Sequence, residues 1–250
     1  GVTAEATNAA AAGAAADVPF SALRLSPDDR VAAITWATTD QRGRTVLIPT
    51  DTVYGLAVLA SGIGGVEALS RIKGRDPDKP VAVLVAAPAQ GRELFDRPGE
   101  ALTRLASALW PGPLTLVAPA DTGAPAPVVS ASGTIGVRCP DHELVRRVAE
   151  AVGPLAVTSA NPAGGEPLVR LGPLSALIEA WAALSEASLV VDGGPLPGTA
   201  STVVEVPAAA GGWSERSGVA VRSGSDGPRV LRNGPISAAA IGDLWRGSVK

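Results

Sequence analysis

Residues 134–161, TIGVRCPDHELVRRVAEAVGPLAVTSAN, decide how the rest of the chain is read. Thr134 to Arg138 reads as a strand, Asp141 as an N-cap for a helix over Glu143 to Val152, and Gly153-Pro154 as its end. Leu155 to Val157 is then a second strand, releasing Thr158-Ser159-Ala160-Asn161. A helix set between strands argues for a sheet covered by helices rather than an all-β sandwich.

The same alternation extends in both directions. Ser26-Pro27-Asp28-Asp29 has the form of a helix start, with Val31, Ala32, Ile34 and Trp36 at helical spacing and Gly43 at the end. Thr45 to Pro49 reads as a buried strand that delivers Thr50-Asp51-Thr52 to its C-terminal end, where open α/β sheets bind ligands. A helix from about Gly65 to Lys73 carries Val66, Leu69 and Ile72 on one face and stops before Asp76-Pro77, because the residue before proline disfavours helix. Pro80 to Val85 is a strand, one helix runs on to Trp110, and Pro111-Gly112-Pro113 turns the chain into a strand over Leu114 to Ala118. Helix 172–184, strands Ser188–Val191, Ser201–Val206 and Arg229–Arg232, and a Ser-capped helix Ser237–Trp245 complete the pattern. The expected architecture is α/β, a single domain with a twisted mixed or parallel open sheet, flanking helices and a concave ligand cleft. Residues 1–20 are expected to be a disordered Ala-rich tail, 21–250 the domain, and 207–228, rich in Gly, Ser and Ala, a mobile insertion.

Composition excludes several functions. With one Cys (Cys139) no intramolecular disulfide forms, and with one His (His142) there is no His-rich metal site, so a metal would be carried by carboxylates and substrate phosphates. A net charge of −3 argues against sequence-independent binding of RNA or DNA, which needs a strongly basic face. No apolar run approaches the ~18 to 20 residues of a membrane span, and the tail lacks the charged and apolar regions of a secretory signal. A cytoplasmic setting is expected.

Two short motifs carry the chemistry. Lys73 and Arg75 form K-x-R at a helix-to-loop exit, and Ser159 and Asn161 form S-x-N at a strand end. Two fixed cations with a hydroxyl and an amide can hold a polyphosphate and steady its leaving group. Each also has a plainer reading: Lys73 and Arg75 as charges complementing a helix dipole, Ser159 as a cap, Asn161 before Pro162 as a turn residue. Cys139 reads as a small buried hydrophobe, His142 as solvated polarity at a helix start, and Tyr54 as core packing. Neither a Walker A loop nor a dinucleotide-binding glycine fingerprint is present, so the loop Asn161 to Pro167 is not a P-loop.

The two motifs belong to a longer series: Ile48-Pro49-Thr50-Asp51-Thr52-Val53-Tyr54-Gly55-Leu56, Lys73-Gly74-Arg75 with Lys79-Pro80, Trp110-Pro111-Gly112-Pro113-Leu114-Thr115, Gly136-Val137-Arg138-Cys139-Pro140, Thr158-Ser159-Ala160-Asn161, Ala200-Ser201-Thr202-Val203-Val204 and Arg232-Asn233-Gly234-Pro235-Ile236. Over about Asp28 to Ile236 the chain resembles the YrdC family of threonylcarbamoyl-AMP synthases. The resemblance implies that L-threonine and bicarbonate or carbon dioxide form a carbamate, which attacks the α-phosphate of ATP, with Mg²⁺, and releases pyrophosphate. The product would supply a downstream threonylcarbamoyl transferase complex that makes N6-threonylcarbamoyladenosine in tRNA, and a weak tRNA contact is part of that expectation. Lys73, Arg75, Ser159 and Asn161 are the implied catalytic residues. Lys79, Thr134 and Arg232 join them on the ATP side, and Thr50, Thr52, Arg138, Ser159 and Ser201 would bind threonine. Mg²⁺ would come with the phosphates, without dedicated protein ligands.

The sequence departs from the family pattern in places. Leu84 stands where many members carry a His that helps bind threonine, Lys79 where Asn is frequent, and Asp51 where Glu is frequent. Only a short stretch follows Ile236, so the chain is expected to be the short form, without the second domain of longer members. Two other readings stay open: a carbamoyl-adenylate-forming carbamoyltransferase module, and a tRNA- or double-stranded-RNA-binding protein of the same fold.

Overall fold

The computed structural model describes residues 31, 34, 45–72, 81–161, 165–171, 189–207 and 227–247. The tail over 1–20, the helix over 172–184, most of the 207–228 insertion, and Lys73, Arg75 and Lys79 lie outside the described residues. Of the expected first helix, Val31 and Ile34 are described; both are helical, and Ile34 is buried.

Among the described residues nine strands form one sheet: β1 Val46–Ile48, β2 Gly55–Leu59, β3 Ala82–Leu84, β4 Leu114–Pro119, β5 Thr134–Arg138, β6 Leu155–Ser159, β7 Leu189–Val190, β8 Thr202–Glu205 and β9 Arg229–Arg232. Their order is β7-β1-β2-β6-β3-β5-β4-β8-β9. Pairs β1/β7, β3/β5 and β4/β8 are parallel and the other neighbours antiparallel, so the α/β sheet is mixed, as expected. The helices are α1 Ile63–Ile72, α2 Pro88–Glu93, α3 Glu100–Leu109, α4 Glu143–Val152 and α5 Ala238–Arg246.

Apolar side chains bury both sheet faces. On one, Leu56, Val83, Leu116, Val137 and Ala156 pack with Val66 and Leu69 of α1, Leu102 and Leu105 of α3, and Ile241 of α5. On the other, Ile48, Ala57, Leu84, Leu155 and Val157 pack with Val145, Val148 and Ala149 of α4. Burial on two faces turns central strands into continuous apolar runs.

Three expectations need correction. Gly55–Leu59 is a strand that was not anticipated; with no polar alternation it carries no period-2 signal, and its glycine is required because a Cβ there would lie 2.6 Å from Val157 Cγ1. The single helix ending at Trp110 is two helices. Between them Phe95 bridges to Ala120, Asp96 N–H donates to Pro119 C=O at 2.9 Å, and Arg97 has φ 44° just before Pro98, a conformation no helix continues through. Finally, α4 is capped by His142 rather than Asp141, and no side-chain cap bond is made there. The Ser237 cap of α5 is as expected, its side chain accepting from Ala240 N–H.

Candidate functional site

Directly opposed residues in a sheet share a face, so register assigns a face to every strand-borne candidate. The row Ala57–Val157–Ala82–Gly136–Val117–Glu205 crosses from β2 to β8. Alternation from that row puts Ser159, Thr134, Arg138 and Thr115 on the same face, and Arg232 joins them opposite Val203. This is the face on which α4 is the described helix that packs.

Arg138 ends β5 and is 5% exposed. Its Nε donates to Gly112 C=O at 3.0 Å, Nη1 to Thr52 Oγ1 at 3.0 Å, and Nη2 to Asp51 Oδ1. β1 and β5 are four steps apart in the sheet, and at about 20–25° of twist per step the accumulated rotation approaches a right angle, so the loop after β1 can meet the end of β5. Thr50 organises that loop: its Oγ1 accepts from Thr52 N–H at 3.1 Å and Val53 N–H at 3.2 Å and donates to Val53 C=O at 2.7 Å. With its one proton engaged, Thr50 receives the Thr52 hydroxyl proton across 3.0 Å, and Thr52 in turn accepts from Arg138. Thr50 therefore shapes the turn, while Thr52 faces the arginine. Burial pulls the Arg138 pKa below its ordinary value, and the Asp51 charge pulls it back.

Ser201 and Arg232 form a second cluster. Arg232 donates to Ser201 through Nε to the C=O at 2.9 Å and through Nη2 to Oγ at 2.8 Å, and Ser201 Oγ lies 2.9 Å from Thr115 Oγ1. Thr202 Oγ1 donates to Ile236 C=O and accepts from Ile236 N–H, both at 2.9 Å, pinning the Asn233-Gly234-Pro235 turn against β8. A Cβ at Gly234 would run into Thr202 N and Ala200 O, so the turn demands glycine. The hydroxyl assigned to threonine and the guanidinium assigned to ATP are thus bonded to each other.

The S-x-N motif folds on itself. Ser159 Oγ donates to Asn161 Oδ1 at 2.6 Å, and Asn161 Nδ2 donates to Gly165 C=O, closing the start of the loop that follows. Thr134 stands apart from these groups: its hydroxyl lies 2.8 Å from Ser130 Oγ and 3.3 Å from Ser132 Oγ, in a hydroxyl cluster at the start of β5. Among the described residues no group of three or more His, Cys, Asp or Glu gathers that could hold a metal ion.

Leu84 is buried beside Arg138 in the β3/β5 register and packs with α4. Cys139 is fully buried and its thiol is pushed up to about 11 by burial, as expected for a small hydrophobe. Tyr54 is also fully buried, its hydroxyl pushed up to about 12 by burial. His142 corrects the solvated reading. It is half-buried, its Nδ1 has no partner among the described residues, and burial holds its pKa below the ordinary value against the opposing charges of Asp51 and Asp141. Sequence reasoning gave no role to Thr115, whose signal was its place in the Trp110–Thr115 segment, nor a partner to Asp51.

A family model described as Telomere recombination, covering Sua5, YciO and YrdC, matches residues 40–214. A Mycobacterium leprae protein is 33% identical over 87% of this chain and 90% of its own length. The Pyrococcus abyssi threonylcarbamoyl-AMP synthase is 33% identical over 66% of this chain and 48% of its own, so the chain spans about half of that relative. The crystal structure of P. abyssi Sua5 complexed with L-threonine superposes with a TM-score of 0.70 at 27% identity, covering 88% of this chain and 58% of the other.

Proposed function

The chain belongs to the Sua5/YciO/YrdC family, and on that premise we propose that it makes threonylcarbamoyl-AMP from L-threonine, bicarbonate or carbon dioxide, and ATP, releasing pyrophosphate. The observation that carries this reading is the shared sheet face, which gathers Ser159, Arg138, Thr115 and Arg232 with Thr52 and Ser201 bonded to them.

The reaction has three requirements. The threonine amine must be held, uncharged, beside the carbon source; the resulting carbamate oxygen must then form a bond to the α-phosphorus as the bond to the pyrophosphate oxygen breaks. Charge grows on the phosphate oxygens in that step, so cations and donors must already be in place. Arg138 suits the amino acid. Three of its five N–H groups are fixed by Gly112, Thr52 and Asp51, which locks the guanidinium plane and leaves two donors for a carboxylate. Thr52, bonded to Arg138, and Ser201, bonded to Thr115, add hydroxyls. Arg232 and Ser159 with Asn161 serve the phosphates, joined by Lys73, Arg75 and Lys79 and, at the start of β5, Thr134. Mg²⁺ accompanying ATP would neutralise part of the phosphate charge. Holding both partners in one cleft removes several kcal/mol of entropic barrier.

In this reading the product is the donor for N6-threonylcarbamoyladenosine in tRNA, handed to a separate transferase in the cytoplasm, with tRNA touching this protein weakly at most. Among the described residues no helix is long and apolar enough to cross a membrane. Purified protein with ATP, L-threonine, bicarbonate and Mg²⁺ is expected to release pyrophosphate in a threonine-dependent manner and to form an adduct with the mass of threonylcarbamoyl-AMP. Pyrophosphate release that ignores threonine, or none, refutes the reading.

A further inference from the structure

Between β7 and β8 the chain runs from Val191 to Ala200 without helix or strand, and it is fastened at two points to the segment that follows β1. At the first, Tyr54 Oη accepts from Gly193 N–H at 2.9 Å and donates to Gly194 C=O at 2.8 Å, with Asp192 Oδ1 3.2 Å away. The approach is close enough that a Cβ at Gly193 would lie 2.5 Å from Pro49 Cβ, and Gly194 has φ 76°. At the second, Gly198, with φ 93°, donates its N–H to Thr52 C=O at 2.9 Å. Ser201 follows directly. One irregular segment thus links Thr52, the partner of Arg138, to Ser201, the partner of Arg232 and Thr115.

Tyr54 sits where these connections meet. Its ring is fully buried, its N–H donates to Leu168 C=O at 2.9 Å, and its C=O accepts from Ala160 N–H at 2.8 Å, between the two members of S-x-N. The backbone of Tyr54 therefore holds the turn assigned to the nucleotide, while its hydroxyl holds the segment leading to Ser201. The two duties rest on different atoms, so they can be separated by removing the hydroxyl alone.

We propose that Tyr54 is a positioning residue for the amino-acid half of the site, its hydroxyl holding the 192–200 segment so that Thr52 and Ser201 keep the spacing that threonine requires. The proposal rests on the threonylcarbamoyl-AMP reading for its substrate and on the hydrogen bonds alone for its mechanical part. Nothing in it requires Tyr54 to touch a substrate.

The test is Tyr54→Phe, which keeps the buried ring. Threonine-dependent pyrophosphate release should show KM for L-threonine raised up to about tenfold, the scale of one lost hydrogen bond, with kcat and KM for ATP within about twofold. Backbone amide exchange in the same variant should quicken at both Gly193 and Gly198. Equal rises in both KM values, or an unchanged KM for threonine, overturn the proposal. So does faster exchange at Gly193 with Gly198 unmoved, since the segment would then transmit nothing. If the wild-type protein shows no threonine-dependent release, the functional reading falls by itself, and the exchange pattern still decides whether the hydroxyl holds the segment.

Discussion

The two ends of the candidate face are built on different principles. At the Arg138 end a buried guanidinium is fixed by a carboxylate, a hydroxyl and a carbonyl, with side-chain exposures of 6% for Arg138 and 12% for Asp51. At the Ser159 end the groups are half-buried and bond to close neighbours, Ser159 to Asn161 and Asn161 to Gly165. A buried charge tolerates no loose geometry, because an unpaired ion inside a protein is costly, whereas half-exposed hydroxyls and amides can exchange local bonds for those to a phosphate. On the proposed reading the first end is preorganised for threonine, and the second would rearrange around the phosphates of ATP.

The largest effect that could break this contrast lies in the ion pair. Asp51→Ala leaves Arg138 buried without its carboxylate and should cost about 3–5 kcal/mol of stability, read from urea unfolding midpoints. A loss below about 1 kcal/mol would mean that Thr52 and Gly112 suffice to hold Arg138, and that its end of the face is no more tightly built than the other.

The contrast also explains which parts of the site could be read from the chain. Strand β5, helix α4 and strand β9 match their expected bounds residue for residue: β5 is a buried β-branched run, α4 an amphipathic helix stopped by Gly153-Pro154, and β9 a short Val-Leu pair set between arginines. Strand β2 shows no period-2 signal because it is buried on both faces, and it begins at a glycine whose Cβ would collide with Val157, a contact with no local signature. The break at Asp96-Arg97-Pro98-Gly99 was visible as Pro-Gly, yet its cause, pairing of Phe95 with Ala120, is a long-range contact with no local signature. Likewise Arg138, Ser201 and Arg232 are site residues through the family resemblance, while the bonds that join them to Asp51, Thr115 and each other depend on register and twist across the sheet. His142 departs from its expected place because polarity at a helix start suggests solvent, and its half-burial cannot be seen in sequence.

At the opposite end, Ser159→Ala should separate activity from stability. The side chain is half-buried and bonds to a neighbour two residues on, so unfolding should move by less than about 1 kcal/mol. Turnover should fall about 100-fold, the scale for removing one hydrogen-bond donor from developing phosphate charge. A variant that unfolds as readily as Asp51→Ala would show the two ends to be alike in construction; one with normal turnover would return Ser159 to the role of a cap.

The smallest expected effect concerns pH, and it sharpens what burial does at the Arg138 end. His142 is the chain's one histidine, so any histidine-linked change in stability is its own. Burial lowers its pKa in the folded protein, whereas unfolded it titrates near 6.5. Above about 6.5 the imidazole is neutral in both states and contributes no pH dependence. As pH falls below that, the unfolded chain takes up the proton first, so stability declines until the folded protein also binds it, by about 1.4 kcal/mol for each unit separating the two pKa values. The groups facing His142 modulate this in both directions: Asp51, Asp141 and Glu143 favour the charged ring, and Arg146 opposes it. Urea midpoints for wild type and His142→Gln should therefore converge toward pH 5 relative to their difference at pH 7.5, as the wild type loses stability that the glutamine variant keeps. Parallel pH profiles would place His142 in solvent, as its sequence position first suggests, and would remove it from the buried charge network around Asp51.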